Sequence, residues 1–136
     1  MVDQDTPEMF LQEPNVAILS TIGPESRPHA VPIWFVYEDG VIVMTAGAGS
    51  QKVRNITRNP DVALTVDRRS LPYYAVMIQG TAEIGPAPSE DLRRRLAVRY
   101  LGEELGQRYI STGTGEGTVT IHVRPRKIME YKSPAR

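Results

Sequence analysis

Short stretches in which apolar residues alternate with polar or small ones recur along the chain. A period of two is typical of strands that have one buried face. Glycine, proline, asparagine and aspartate, which favour turns, separate these stretches. The pattern predicts seven strands, at residues 16–21, 28–37, 41–46, 62–66, 74–84, 119–123 and 128–131.

Other segments carry the capping signals and the apolar period of helices. Serine or threonine before a helix and an early proline are typical of a helix start, and Pro14-Asn15 and Asn59-Pro60 end the first two helices. The segment that begins at Ser89 is amphipathic, with leucines on one face and arginines around the other. The predicted helices start at Thr6, Ser50 and Ser89 and end near residues 13, 58 and 101.

These elements predict a single domain over residues 1–136 that is mainly β with helical additions. Strands and helices do not alternate as they do in a parallel sheet, so we expect an antiparallel barrel. The first three strands should run as a meander. Residues 112–118 form a glycine-rich loop, and Pro125 should lie at a turn between the last two strands. Gly80, inside the fifth strand, indicates a bulge or a close backbone approach.

Composition excludes several classes of function. The 136 residues include no cysteine, which removes thiol catalysis and suits a cytoplasmic protein. Sixteen basic and sixteen acidic side chains cancel, so neither nucleic acid nor a membrane surface is an expected partner. No apolar stretch approaches the ~20 residues of a membrane span. The two histidines lie far apart and no Gly-x-Ser-x-Gly motif occurs, so we expect no metal site and no hydrolase.

The segment from Gly47 to Lys52 has the chemistry of an anion site. Glycines let backbone N–H groups approach a ligand, Ser50 stands at a helix start, and Lys52 and Arg54 add positive charge in the first turn. The segment lacks the third glycine of a dinucleotide fingerprint and lies outside a βαβ unit. A phosphate is the expected ligand, and an ordinary glycine turn into a capped helix is the alternative.

A proline in the middle of the second predicted strand marks another unusual stretch. Pro32 has no backbone N–H and cannot donate a hydrogen bond to a neighbouring strand. This is tolerated on an edge strand or where the backbone faces a ligand. Trp34, the one tryptophan of the sequence, follows. A flat apolar wall beside a phosphate site suits a flavin-like ring. The alternative is that Trp34 and Phe35 alternate between the core and an interface.

Four segments together resemble the split-barrel flavin and deazaflavin oxidoreductases, the superfamily that includes pyridoxamine 5′-phosphate oxidase. They occur in the family's order and spacing, and the strands after residue 117 are similar to its C-terminal hairpin. The resemblance implies a six-stranded antiparallel split β-barrel of Greek-key type. It also implies an obligate homodimer with cofactor sites at the subunit interface. The segments are residues 15–21, 27–35, 45–55 and 74–83.

The resemblance further implies which residues bind the cofactor. The second-strand segment would line the ring, Thr45 and its neighbours would contact the ring or the sugar-like chain, and the helix start would hold the phosphate. No side chain is assigned as a catalytic acid or base. The expected cofactor-binding residues are Pro32, Ile33, Trp34, Thr45, Ala46, Ser50, Gln51, Lys52, Val53 and Arg54.

Two departures separate this chain from the pyridoxamine phosphate oxidases. Their Arg-Gln at the start of the fifth strand is replaced by Tyr74-Ala75, and the Arg-x-His of their C-terminal motif is missing. The Trp-Phe after Pro32 is more similar to the branch that uses coenzyme F420. The expected activity is hydride transfer between F420 and a small conjugated or unsaturated acceptor. The alternatives are an FMN-binding oxidase of the pyridoxamine phosphate type and a flavin-binding module without turnover.

Overall fold

A computed structural model of the protein describes residues 6–134. This part of the chain forms one antiparallel sheet of seven strands with four α-helices around it. None of the described helices is long and apolar enough to cross a membrane. The strands are β1 (Ala17–Ile22), β2 (Pro28–Ile33), β3 (Val36–Glu38), β4 (Val41–Gly47), β5 (Asp61–Arg68), β6 (Tyr74–Gly85) and β7 (Thr118–Lys132), and the helices are α1 (Pro7–Phe10), α2 (Gln51–Arg58), α3 (Glu90–Leu101) and α4 (Glu103–Ser111).

The two edges of the sheet are neighbours along the chain. The strand order is β2-β1-β5-β6-β7-β4-β3, and only Trp34 and Phe35 separate β2 from β3. Three peptide units span at most about 11 Å, so the sheet must curl until its edges meet at this corner. Strands β2 and β3 are not hydrogen-bonded to each other, so the sheet does not close into a barrel. The expected six-stranded barrel is therefore corrected to seven strands in an unclosed sheet.

The predicted single strand 28–37 is divided into β2 and β3 at this corner, and the predicted meander is therefore wrong. The chain bends at Trp34 and Phe35, so β2 pairs back to β1 while β3 pairs forward to β4. Two hairpins replace the meander. The interpretation of Pro32 is confirmed, because β2 is an edge strand and a missing N–H on its outer side breaks no ladder bond.

The last two predicted strands are one continuous strand, β7, so the expected C-terminal hairpin is wrong. Pro125 lies inside β7, opposite Gly80 of β6, where the register between the two strands shifts. A Cβ atom on Gly80 would come within 2.6 Å of the Arg124 carbonyl oxygen. The predicted bulge at Gly80 is confirmed, and it places the proline where the ladder is already irregular.

Helix α4 was not predicted. It follows α3 after Gly102, whose φ of 87° turns the chain back. Gly106 is its buried residue, while Leu105 and Tyr109 are exposed. The apolar residues of α4, Leu105 and Tyr109, lie four positions apart as on one face of a helix, but α4 packs on α3 through Gly106, so this spacing does not mark its buried face.

The barrel interior and its outer surface hold separate apolar clusters. Inward-facing residues such as Leu19, Leu64 and Ile121 form the main core. On the outer face of β3 and β4, a smaller cluster attaches helix α3 to the sheet. The smaller cluster consists of Val36, Val43, Leu92 and Leu96, with Trp34, Val41 and Tyr100 against it.

Candidate functional site

A cavity of about 540 Å³ lies between the outer face of the sheet and the α3–α4 pair. Trp34 and Thr45, both predicted as site residues, form part of its wall on the sheet side. Helix α3, helix α4 and the glycine-rich loop supply the rest. These other lining residues are Pro88, Arg93, Leu96, Ala97, Tyr109, Thr112, Gly113, Thr114, Gly115, Glu116 and Thr118.

Tyr100 of helix α3 sets the position of Trp34. Their rings stack with centroids 4.9 Å apart and planes 11° from parallel. The Tyr100 hydroxyl accepts the Phe35 N–H at 3.1 Å and donates to the Asn15 carbonyl at 2.9 Å. The same side chain therefore holds the backbone of the β2–β3 corner and one face of the indole ring.

The glycine-rich loop is held by Arg93 of helix α3. The guanidinium Nη2 donates to the Gly113 carbonyl at 2.8 Å. Gly115 has a φ of 78°, and a Cβ atom there would lie 2.9 Å from Cδ of Arg93. Glycine suits this position, because any other side chain would be strained at this φ and would crowd the arginine side chain. The repeated glycines of 112–118 were a sequence signal for this contact, but Arg93 was not identified from them.

The predicted anion site lies at the start of α2, whose bounds agree with the prediction. Ser50 does not form the expected side-chain cap bond, and its Oγ is buried without a hydrogen-bond partner among residues 6–134. Lys52 forms no ion pair or hydrogen bond within the same residues. A Cβ atom on Gly47 or Gly49 would meet open space. A buried hydroxyl, an available ammonium group and an accessible backbone fit a phosphate group.

Gln51 and Arg54 of the predicted site are hydrogen-bonded to each other. Arg54 donates to the carbonyl oxygen of Gly49 and, at 2.6 Å, to Oε1 of Gln51. Gln51 donates to Oδ1 of Asn55 at 2.6 Å, and Asn55 donates to Thr21 of β1 at 2.9 Å. This chain of hydrogen bonds holds the loop and the helix start against the sheet. Asn55 is fully buried, so it joins Gln51 and Arg54 in a positioning role.

The helix start and the cavity are directly connected. Gly47 pairs with Thr118, a lining residue of the cavity, across neighbouring strands about 4.8 Å apart. The Ala48 N–H also donates to the Gly117 carbonyl at 2.8 Å. A ligand that has its phosphate at Ser50 can therefore extend toward the cavity wall.

The remaining predicted residues do not line the cavity with their side chains. Ile33, Ala46 and Val53 are buried in the main core. Pro32 is exposed on the edge strand β2. These four positions can contribute to a ligand site through the backbone or, for Pro32, through the outer surface of the sheet.

An ion-pair cluster on helix α3 lies beside the cavity but does not line it. Arg95 Nε donates to Asp91 Oδ2 at 2.9 Å, and Arg95 also pairs with Glu38 of β3. The hydrogen bond from Arg95, aided by the charges of Arg95 and Arg94, lowers the pKa of Asp91, with partial opposition from desolvation. The same bond raises the pKa of Arg95. The cluster ties α3 to β3.

The chain is similar in sequence and in structure to several known proteins. A 5a,11a-dehydrotetracycline/5a,11a-dehydrooxytetracycline reductase of Streptomyces rimosus is 31% identical, with 88% of each chain covered. A pyridoxine/pyridoxamine 5′-phosphate oxidase of Rubrobacter xylanophilus is 33% identical across 71% of this chain, but the match spans 43% of that protein. A solved structure of an F420 reductase superposes with a TM-score of 0.75 at 28% identity, covering 92% of this chain and 97% of the other.

The family model described as pyridoxamine 5′-phosphate oxidase matches residues 5–131. That range includes every strand of the sheet except the last residue of β7, and it includes both the α2 start and the cavity. The chain therefore belongs to the pyridoxamine 5′-phosphate oxidase family.

Proposed function

We propose that this protein is a reductase that binds coenzyme F420 and transfers a hydride from it to a small conjugated or unsaturated acceptor. One observation carries the proposal: the buried Ser50 hydroxyl, which lacks a partner among the described residues, stands beside Lys52 at a helix start. The loop before this helix pairs through Gly47 with Thr118, a lining residue of the aromatic-lined cavity. The similarity to two reductases supports the direction of the reaction.

The residues of the α2 start would hold the phosphate of the cofactor. Ser50 would donate its hydroxyl hydrogen, Lys52 would pair with the negative charge, and the positive end of the helix would add to both. When bound, the deazaflavin supplies the hydride. The chain orients the reactants near Trp34 and Thr45 and keeps water away from them, and no obligatory side-chain acid is needed for that role.

The choice of F420 over FMN rests on charge beyond the phosphate. F420 carries an anionic oligoglutamate tail, so a protein that uses it needs additional cations near the site. Arg58 is exposed at the end of α2, one turn beyond Arg54. Lys52, Arg54 and Arg58 are the candidates for pairing with the tail, and the bonds of Arg54 to the neutral oxygens of Gly49 and Gln51 leave its charge uncompensated.

Titration of the purified protein with FMN and with F420 at physiological salt tests this choice. We expect F420 to bind with the smaller dissociation constant. FMN binding at least about tenfold tighter, equivalent to about 1.4 kcal/mol, would overturn the F420 proposal. That result would favour the alternative of an FMN-dependent oxidase, which the 33% identity to a pyridoxine/pyridoxamine phosphate oxidase supports. Binding without any hydride transfer would indicate a flavin-binding module.

We also propose that a second copy of the chain covers the outer face of the sheet. Ile18 lies in register with Pro32 of β2 and with Thr65 of β5. Thr65 is opposite Met77, which is opposite Met129. This row crosses five strands, its residues are partly or fully exposed, and it carries no charge. Uncharged apolar strips of this kind favour an interface between subunits.

A further inference from the structure

The glycine-rich segment 112–118 closes one side of the cofactor site, and we call it the strap. All of its residues except Gly117 contribute to the cavity lining. It joins the end of α4 to the start of β7, and its Gly117 carbonyl accepts the N–H of Ala48, which lies in the loop before α2. The strap therefore connects the proposed phosphate site at Ser50 to the cavity.

A single side chain bonds the middle of the strap to a distant element. Arg93 Nη2 donates to the Gly113 carbonyl at 2.8 Å, in a position that water can reach. The other hydrogen bonds that residues 113–116 make within residues 6–134 stay inside the segment 110–118. The strap contains three glycines, so its backbone meets few steric barriers when it moves. It can therefore open about its two ends when the bond to Arg93 breaks.

Arg93 differs from the two arginines that follow it on α3. Arg94 and Arg95 both pair with the carboxylate of Asp91. Arg93 forms no ion pair among the described residues and bonds a neutral carbonyl instead. Water can take the place of this carbonyl at little cost, so the bond can break and form again. Such a contact suits a segment that must open and close.

Resting on the function proposed above, we propose that Arg93 is a positioning residue that holds the strap closed over the cofactor site, and that the strap opens to let the cofactor enter and leave. Loss of one such hydrogen bond shifts an opening equilibrium by about tenfold. A ligand that enters only through the open form binds at a rate proportional to the open fraction. The contact between Arg93 and Gly113 therefore slows both association and dissociation.

Two glycines of the strap provide a matched pair of variants. A Cβ atom on Gly115 would lie 2.9 Å from Cδ of Arg93, so Gly115→Ala pushes the arginine away from the strap. Gly117 has the same φ of 78°, and a Cβ atom there would meet nothing within 4 Å. Both substitutions impose similar backbone strain, but only Gly115→Ala disturbs the contact with Arg93.

Stopped-flow mixing of the cofactor-free protein with FMN and with F420 measures the rates. Arg93→Ala and Gly115→Ala should raise the association and dissociation rate constants by up to about tenfold, and Gly117→Ala should raise them by less than about twofold. Arg94→Ala, which removes an ion pair from the same helix, should leave them unchanged. An association rate constant that is unchanged or lower in Arg93→Ala would overturn the proposal, because loss of a purely structural contact does not speed entry.

A second measurement needs no ligand. Glu116 is the acidic residue of the strap and is exposed, so a glutamate-specific protease cleaves after it when the strap opens. Cleavage after Glu25, in the exposed turn between β1 and β2, is the internal reference. The ratio of the two cleavage rates, followed by mass spectrometry, should rise in Arg93→Ala and Gly115→Ala and stay near the wild-type value in Gly117→Ala. A wild-type ratio in Arg93→Ala would overturn the proposal.

Failure of the proposed function would have a different signature. If neither FMN nor F420 binds while the cleavage ratio still rises in Arg93→Ala and Gly115→Ala, the reductase is refuted and the opening of the strap stands. If F420 binds Arg93→Ala and the wild type at the same rates, the role of Arg93 is overturned and cofactor binding stands.

Discussion

The hydroxyl of Tyr100 accepts a hydrogen bond from the backbone N–H of Phe35 at 3.1 Å, although 65 residues separate the two along the chain. This contact lies at the corner where the two edges of the sheet approach each other. The Tyr100 ring also stacks on Trp34, the residue before Phe35. Helix α3 therefore holds the opening of the sheet and one wall of the candidate site through a single side chain.

We expect Tyr100→Phe to lower the free energy of unfolding by about 1–3 kcal/mol, because it leaves backbone groups of Phe35 and Asn15 without their hydroxyl partner. The ring stacking on Trp34 is retained. Urea denaturation followed by circular dichroism measures the change. Tyr109→Phe is the control, since the Tyr109 hydroxyl makes no hydrogen bond within residues 6–134. Equal stability of both variants would contradict the assigned role of the hydroxyl.

Lys52→Ala should weaken cofactor binding about 10- to 150-fold, the effect of losing one charge-assisted hydrogen bond of about 1.5–3 kcal/mol. The melting temperature should stay nearly constant, because Lys52 forms no ion pair among the described residues and surface changes of this kind alter stability by about 0.5 kcal/mol or less. Calorimetric titration with F420 and FMN gives the affinities. Lys127→Ala, an exposed lysine of β7, serves as the control. An affinity within a factor of about two of the wild type would remove Lys52 from the site.

The proposed homodimer predicts a mass of about twice 15.1 kDa by light scattering. Thr65→Arg places a charge in the uncharged outer row and should shift the mass to that of one chain without unfolding the protein, because Thr65 is exposed in the monomer. Thr57→Arg, at an exposed position of α2, should leave the mass unchanged. A wild-type particle of one chain at micromolar concentration would exclude the dimer.

Gly106→Ala tests the packing of α4 on α3. In an exposed helix this substitution stabilises by up to about 1 kcal/mol. Here the new Cβ atom would lie 2.8 Å from the backbone of Val98, and such overpacking costs about 1–3 kcal/mol. The net expectation is a lower melting temperature and a change in Trp34 fluorescence as α4 moves. Gln107→Ala, at the next and exposed position, is the control. A higher melting temperature for Gly106→Ala would contradict this packing.

The Asp91–Arg95 pair predicts a pH dependence of stability. Because Arg95 lowers the pKa of Asp91 below its ordinary value of 3.8, the pair stabilises the folded protein above about pH 4 and loses this effect as the pH falls through the lowered pKa. Asp91→Asn should therefore melt below the wild type at neutral pH, and the two should converge in acid. Glu90→Gln, also in the first turn of α3, controls for the helix dipole. A difference that is constant down to the acid limit would contradict the assignment.

Features that depend on neighbouring residues could be predicted from the sequence alone. Alternating hydrophobicity located the strands, the capping pattern located α2 over Gln51–Arg58, and single glycine and proline residues indicated the bulge at Gly80 and the edge position of Pro32. Each of these rests on local backbone geometry or on one missing hydrogen-bond donor. Lys52 and Trp34 could be proposed as site residues for the same reason, since their chemistry belongs to short segments.

Contacts between distant segments decided the rest. The division of the predicted strand 28–37 depends on Tyr100, which holds the corner from helix α3. Helix α4 packs on α3 through Gly106, a contact that its apolar residues Leu105 and Tyr109, which are exposed, do not indicate. The hydrogen bonds of Arg54 to Gly49 and Gln51, which hold the loop before α2, could not be predicted from the sequence. Side-chain pairing and close backbone approach are properties of three-dimensional proximity, so the cavity and its aromatic walls emerged only when these segments were brought together.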